Sequence, residues 1–229
     1  MRYKWLLFDA DGTLFDYDRA EATALRRTFG DLGCSYEASY AEVYRQINGE
    51  IWREYEQGKI SQHWLRARRF ELLFEDIGVR CDPDVFSTKY LLHLADGTDL
   101  IEGAEEVVRW LYGKAGLVLI TNGMAEVQRP RLASSGLRDY FSGIVISEEV
   151  GAAKPDPRIF DAAFQVMSWP KKEEVLIVGD SLISDVKGGN NYGIDTCWFN
   201  PQRDPCMADV KIQFEIGELR ELVTLLDVI

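Results

Sequence analysis

The chain has 229 residues, 46% of them hydrophobic and 28% charged. That is enough to bury a sizeable core, in one domain or in a core with a modest insertion. Acidic residues outnumber basic ones 38 to 26, for a formal net charge of −12; this excludes a nucleic-acid polymer or an anionic membrane surface as partner, while one pocket can still reverse the potential for a small anion.

The first predicted element is a strand, Lys4 to Phe8, which ends at Asp9-Ala-Asp-Gly-Thr13. The apolar run beside Arg2 and Lys4 is too short for a signal peptide, and no stretch approaches a membrane span. The four cysteines, Cys34, Cys81, Cys197 and Cys206, are widely spaced and form no zinc pattern. The expectation is a protein with reduced thiols in the cytoplasm.

A helical region follows from about Asp18 to about Ala95. Ala22, Leu25, Phe29 and Leu32 stand at helical spacing, as do Val43, Ile47, Ile51 and Tyr55, with Gly33, Gly58, Gly78 and Pro83 as punctuation. After Asp96 strands and helices alternate. Strands are predicted at Leu117 to Ile120, Gly143 to Ile146, Val175 to Val178 and Thr196 to Phe199. Helices are predicted at Ala104 to Gly113, Ala125 to Ser135, Arg158 to Met167, Ser184 to Tyr192 and Gly217 to the end. Asn200 to Asp209, with two prolines, reads as a surface loop. This alternation predicts an α/β fold: a Rossmann-like parallel-sheet core from residues 1–15 and 96–229, with an α-helical cap inserted at 16–95.

Ligands of open parallel sheets bind beyond the carboxyl ends of the strands. Here those ends carry Asp9 and Asp11, then Thr121 and Asn122, then Lys154 in a loop, then Asp180 with Asp185 five residues on. Clustered carboxylates repel one another unless a cation sits among them, and oxygen ligands suit Mg²⁺. Lys154 adds a positive charge for phosphate oxygens, and Thr121 and backbone N–H groups add neutral donors. Such a set is equipped for phosphoryl transfer, where positioning and charge stabilisation supply most of the catalysis. Each piece alone also has a plainer reading: Asp9 to Gly12 as a solvated turn, Thr121 to Gly123 as an ordinary strand-to-helix turn, Lys154-Pro155 as a surface loop, Asp180 as a helix cap.

Taken in order, Phe8-Asp-Ala-Asp-Gly-Thr-Leu14, Ile120-Thr-Asn-Gly123, Lys154-Pro155 and Gly179-Asp-Ser181 with Asp185 resemble the four motifs of the haloacid dehalogenase (HAD) superfamily. The resemblance implies that Asp9 is the nucleophile, forming an aspartyl-phosphate, and Asp11 the general acid and then base. It implies that Thr121, Asn122 and Lys154 hold the phosphoryl oxygens. Mg²⁺ would be bound by Asp9, the Asp11 carbonyl and Asp180, with Asp185 a ligand or the residue that orients a bound water. Dehalogenase members lack the second aspartate, so Asp11 favours a phosphatase.

The cap position resembles the first cap type of the superfamily. Asn48-Gly-Glu-Ile-Trp52, Gly136 to Phe141 and Ile146 to Gly151 are most similar to bacterial pyrimidine 5′-nucleotidases acting on non-standard nucleotides. The expected substrate is therefore a small phosphorylated metabolite, a nucleoside 5′-monophosphate, with Asn48, Trp52 and Arg69 of the cap as its contacts. Packing between helices is the plainer reading of the cap aromatics, and a salt-bridged surface that of Arg66, Arg68 and Arg69. Phosphatases of sugar phosphates, a phosphoglucomutase-type transferase and a regulatory protein that keeps the fold without turnover are the alternatives.

Overall fold

The structure is a computed structural model that describes residues 1–206 and 209–228. The chain forms two compact units, residues 1–17 with 98–229 and residues 18–97.

The first unit is built on a six-stranded sheet. Its strands are β1 (Trp5–Phe8), β2 (Gly116–Thr121), β3 (Gly143–Ile146), β4 (Val175–Gly179), β5 (Asp195–Phe199) and β6 (Phe214–Ile216). The order is β3-β2-β1-β4-β5-β6 and every pairing is parallel. The chain builds outward from β1 to one side and then returns to build the other. The reversal falls at β1 and β4, the switch point where such sheets open a crevice.

These strands read as continuous apolar runs because both faces are covered. Leu6, Phe8, Leu117, Leu119, Leu176, Val178 and Phe199 pack on one face against helices α5 (Ala104–Leu111) and α10 (Glu221–Val228). Leu7, Val118, Ile120, Val145 and Ile177 pack on the other, against Ile159, Phe160, Ala163 and Phe164 of α8 (Pro157–Val166). The period of two along each strand sorts its residues between the two layers. The remaining helices of this unit are α6 (Ala125–Ser134), α7 (Ser147–Val150) and α9 (Lys187–Tyr192).

Besides the four-residue helix α7, which was not predicted, three features depart from the sequence expectation. The strand β6 lies in a stretch with no predicted element; at three residues its alternation is too brief to register. A π-helical turn at Leu182–Val186 precedes α9 where one continuous helix was expected from Ser184. The last helix begins at Glu221 rather than Gly217. Met207 and Ala208 of the predicted surface loop, and the terminal Ile229 of the last helix, lie outside the described residues.

The second unit consists of helices: α1 starts at Tyr17 and runs to Asp31, followed by α2 (Ser39–Glu56), α3 (Gln62–Ile77) and α4 (Pro83–Ala95). Ser61 caps α3 by accepting from the Trp64 N–H, and Asp82 caps α4 ahead of Pro83. Its core is aromatic. Phe70 lies 4.9 Å from Phe86, 5.1 Å from Tyr90 and 5.3 Å from Tyr44 between ring centroids, and Phe29 packs on Phe86 at 4.9 Å. Such pairs add about 0.5–1.5 kcal/mol each beyond their buried area. No helix of the structure, among the described residues, is long and apolar enough to cross a membrane.

Candidate active site

The parallel register carries polar residues to one rim. Phe8 pairs with Leu119 on one side and Val178 on the other, so the next residue, Asp9, emerges level with Ile120 and Gly179. Its N–H still donates to the Val178 carbonyl at 3.0 Å, which fixes the strand end. One step further along β4 stands Asp180, and the π-helical turn behind it buries Ser184 and Asp185. Short π-helical turns occur often at functional sites.

Lys154 is the centre of this group. The residue is 1% exposed, and its Nζ donates to Asp9 Oδ1 at 2.5 Å, to Asp185 Oδ1 at 2.7 Å and to the Ile120 carbonyl at 3.0 Å. Three ammonium protons meet three acceptors. Burial alone would pull this lysine's pKa down, but Asp185 and Asp9 outweigh it and hold the proton on.

One oxygen each of Asp9, Asp180 and Asp185 lie within 4.8 Å of one another. Burial pushes the Asp9 carboxyl well above the ordinary carboxylate range; Lys154 opposes the shift, and Asp185 and Asp180 add to it. Desolvation, and then Asp185, push Asp180 up to about 7, although the residue as a whole is exposed, unlike Asp9 and Asp185. With all three carboxylates ionised, Lys154 would offset one charge and leave two uncompensated. Three hard oxygen donors carrying that excess fit a divalent cation of the magnesium type.

Small residues make the crowding possible. Gly12 has φ +81°, and a Cβ there would lie 2.6 Å from Asp180 Oδ2. Thr13, fully buried, places Oγ1 3.4 Å from Asp9 Oδ2 and 3.2 Å from Asp180 Oδ1, and accepts from the Asp180 N–H at 3.1 Å. It bridges the two strand ends, and the sequence reading gave it no role.

Thr121 is buried beside this rim, with Oγ1 accepting from the Gly123 N–H at 3.0 Å. Its own O–H can still donate. Asn122 has a different occupation. Its Oδ1 accepts from the Lys154 N–H at 2.7 Å and its Nδ2 donates to the Lys154 carbonyl at 2.9 Å. The side-chain amide thus holds the loop that delivers Lys154, which includes the cis Lys154–Pro155 peptide.

The Asp11 carboxylate points to α6. Gln128 Nε2 donates to its Oδ2 at 2.5 Å, and Arg131 Nη1 donates to its Oδ1. Neither partner was picked out from the sequence. A signal existed: Val127, Gln128, Arg131 and Leu132 form the buried stripe of α6, so two polar side chains sit where a helix buries apolar ones.

Comparison with known proteins gives the same assignment. Residues 3–193 match the family model for haloacid dehalogenase-like hydrolases. The chain belongs to this family. HAD-hydrolase YfnB of Bacillus subtilis is 37% identical over 227 residues, covering 99% of this chain and 97% of that protein. Pyrimidine 5′-nucleotidases YjjG of Escherichia coli and PynA of Streptococcus pneumoniae are each 36% identical, over 99% of this chain and 99% and 96% of theirs. A crystal structure of YfnB bound to magnesium superposes with a TM-score of 0.94 at 36% identity, covering 99% of this chain and all of that one. This HAD-like chain is thus an enzyme of the phosphatase type, with nucleotidases among its full-length relatives.

The three expected cap contacts sit within the helical unit. Arg69 is 1% exposed and its Nη1 donates to Asn48 Oδ1 at 3.1 Å; Asn48 Nδ2 donates to Glu21 Oε2 at 3.1 Å. Trp52 is half-buried, edge-on to Tyr55. Glu21, the acidic end of the network, was not singled out from the sequence.

Proposed function

We propose that the chain is a magnesium-dependent phosphomonoesterase that works through an aspartyl-phosphate on Asp9 and hydrolyses nucleoside 5′-monophosphates. The observation that carries this reading is the Asp9–Asp180–Asp185 cluster around Lys154 at the switch point of the sheet. Asp9, Asp180, Asp185 and the Asp11 carbonyl would hold the cation, which supplies positive charge among carboxylates and phosphoryl oxygens that otherwise repel.

The residues divide the work as follows. Lys154 fixes Asp9 through Oδ1 and aims it. A carboxylate oxygen of Asp9 attacks phosphorus as the bond to the leaving oxygen breaks, and Asp11 delivers a proton to that oxygen. Asp11 then takes a proton from water, whose oxygen attacks phosphorus and frees Asp9 and inorganic phosphate. Thr121 donates its hydroxyl to a phosphoryl oxygen, and Lys154 supplies charge. Residue 122 contributes through its backbone N–H, because its amide is engaged with the Lys154 loop.

In this reading residues 1–15 and 96–229 form the catalytic core, and the cap at 16–95 chooses the leaving group through Asn48, Trp52 and Arg69. The nucleotide assignment leans on YjjG and PynA, matched over nearly their whole lengths. A glyceraldehyde 3-phosphate phosphatase of Methanopyrus kandleri, 31% identical over 96% of this chain, supports the other small-metabolite reading. A cytoplasmic place of work goes with this reading, since four widely spaced cysteines suit a reducing compartment.

Phosphate release across nucleoside monophosphates and sugar phosphates, with Mg²⁺ and with excess chelator, tests the proposal. The expected result is activity on pyrimidine nucleotides that falls to background with chelator and returns with added Mg²⁺. Full activity of metal-free protein would remove the cation. A ranking led by sugar phosphates would replace the substrate, and transfer of the phosphoryl group to a sugar phosphate instead of water would make the enzyme a mutase.

A further inference from the structure

The Asp11 side chain is held at both oxygens by one helix. Gln128 and Arg131 stand three residues apart on α6, hence on one face, and reach Oδ2 and Oδ1 respectively. Both partners are sealed in, Gln128 at 1% exposure and Arg131 at 0%, while the Asp11 side chain is 26% exposed. The two fixed groups therefore lie behind a carboxylate that still faces outward. Arg131 is in turn seated over the Phe15 ring, 5.5 Å from its centroid. Gln128 is equally constrained. A Cβ on Gly123 would lie 2.3 Å from its Nε2, so the turn after β2 is shaped to admit this amide. Its Oε1 has no hydrogen-bond partner among the described residues. The buried amide thus leaves its own carbonyl unsatisfied while its N–H₂ donates to Asp11, an arrangement that costs desolvation.

A carboxylate held at one oxygen can rotate about its last bond; one held at both cannot. Each oxygen keeps a second lone-pair direction, so the clamp sets where Asp11 can exchange a proton without blocking it. General acid catalysis depends on that direction, since the proton must travel along a short hydrogen bond to the leaving oxygen. We propose that Gln128 and Arg131 are positioning residues that orient the Asp11 carboxylate toward the leaving group. This inference rests on the phosphatase reading above and on the role given there to Asp11.

The test compares an alkyl phosphate, such as a nucleoside 5′-monophosphate, with an activated aryl phosphate that needs little proton assistance. Gln128→Met keeps the length and packing of the side chain and removes its donor; Arg131→Lys keeps charge and one donor while losing the planar fork. The expected result is a fall of about tenfold in the alkyl-to-aryl ratio of kcat for Gln128→Met and a smaller fall for Arg131→Lys, with KM changed less than kcat. In an Asp11→Asn background the same Gln128→Met change should leave the ratio where Asp11→Asn alone has put it, since a positioning residue acts only through its target. An unchanged ratio in both folded variants, equal slowing of the two substrates, or an undiminished effect in the Asp11→Asn background would overturn the inference while the phosphatase reading stands. A wild-type protein that releases phosphate from neither substrate would overturn both.

Discussion

The two units bury charge in opposite ways. In the sheet unit, Lys154 lies among Asp9 and Asp185 with Asp180 close by, so negative charge is in excess where the strands end. In the helical unit, Arg69 is buried against the rings of Phe70 and Tyr90 and linked through Asn48 to Glu21, which also pairs with Arg45 at 3.9 Å, so the buried negative charge is answered by positive ones. Burying a balanced pair costs desolvation but asks for nothing else. Burying an unbalanced cluster is tolerable if a cation restores the balance or if the carboxyls take up protons, the direction in which burial already pushes Asp9 and Asp180. The imbalance thus marks where chemistry belongs, and the balanced network reads first as scaffold.

The strongest way to break this contrast is to remove the nucleophile. Asp9→Asn is nearly isosteric and keeps an acceptor for Lys154, so the fold should hold. Turnover should drop a thousandfold or more, equivalent to roughly 4 kcal/mol of barrier. Steady-state rates and a thermal melt measure both quantities. A variant with more than about a tenth of the wild-type rate would place the nucleophile elsewhere.

A second test separates proton delivery from charge. Asp11→Asn should slow a nucleoside monophosphate by about a hundredfold or more, because its alkoxide leaves badly without a proton. An activated aryl phosphate should lose much less. Equal slowing would confine Asp11 to metal binding through its carbonyl.

The contrast also explains what could be read from the chain. The strand-end residues Asp9, Thr121 and Asp180 stood out because an apolar run stops there, which is a local signal, whereas Lys154 stood out only through the loop and proline beside it. The helical unit showed its spacing of 3.6 but not its centre. Glu21, Asn48 and Arg69 come from three helices, and nothing local distinguishes a buried glutamate from a solvated one. The partners of Asp11 were hidden for the same reason, since Gln128 and Arg131 are more than a hundred residues away in sequence. Where the Asn122 amide points was hidden in the same way, since its orientation depends on a loop 32 residues on.

If the cap network is scaffold, Arg69→Ala should cost about 3 kcal/mol of stability, since it removes a buried side chain packed on Phe70 and Tyr90 and its bond to Asn48. If it also reads the substrate, as proposed, the ranking among nucleotides and sugar phosphates should shift as well. Trp52→Ala, at a half-buried position, should move the ranking at a smaller cost in stability. Measuring kcat/KM across the panel beside thermal melts separates the two roles. A loss of stability with an unchanged ranking in both variants would leave the cap residues as packing alone.

The smallest expected effect lies in the thiols, which sample both units without touching the chemistry. Cys197 is buried in the sheet and burial pushes it up to about 12, with Glu221 adding to the shift. In the helical unit, Cys34 and Cys81 stand 2.9 Å apart; burial, then the hydrogen bond with Cys34, push Cys81 up to about 11. Cys206 is exposed. An alkylating reagent attacks the thiolate, so the order of labelling at pH 8 should be Cys206 first, then the half-buried pair, then Cys197. For Cys197 and Cys81 the folded pKa lies above the unfolded value of about 8.5. Their contribution to stability is therefore complete below that value and is lost as pH rises through the folded pKa values, between about 8.5 and 12. Mass spectrometry of peptides after timed labelling reads the order. Labelling of Cys197 as fast as Cys206 would mean that the sheet opens locally on the time scale of the reaction. The two units would then differ in rigidity as well as in charge, with the sheet the looser of the two.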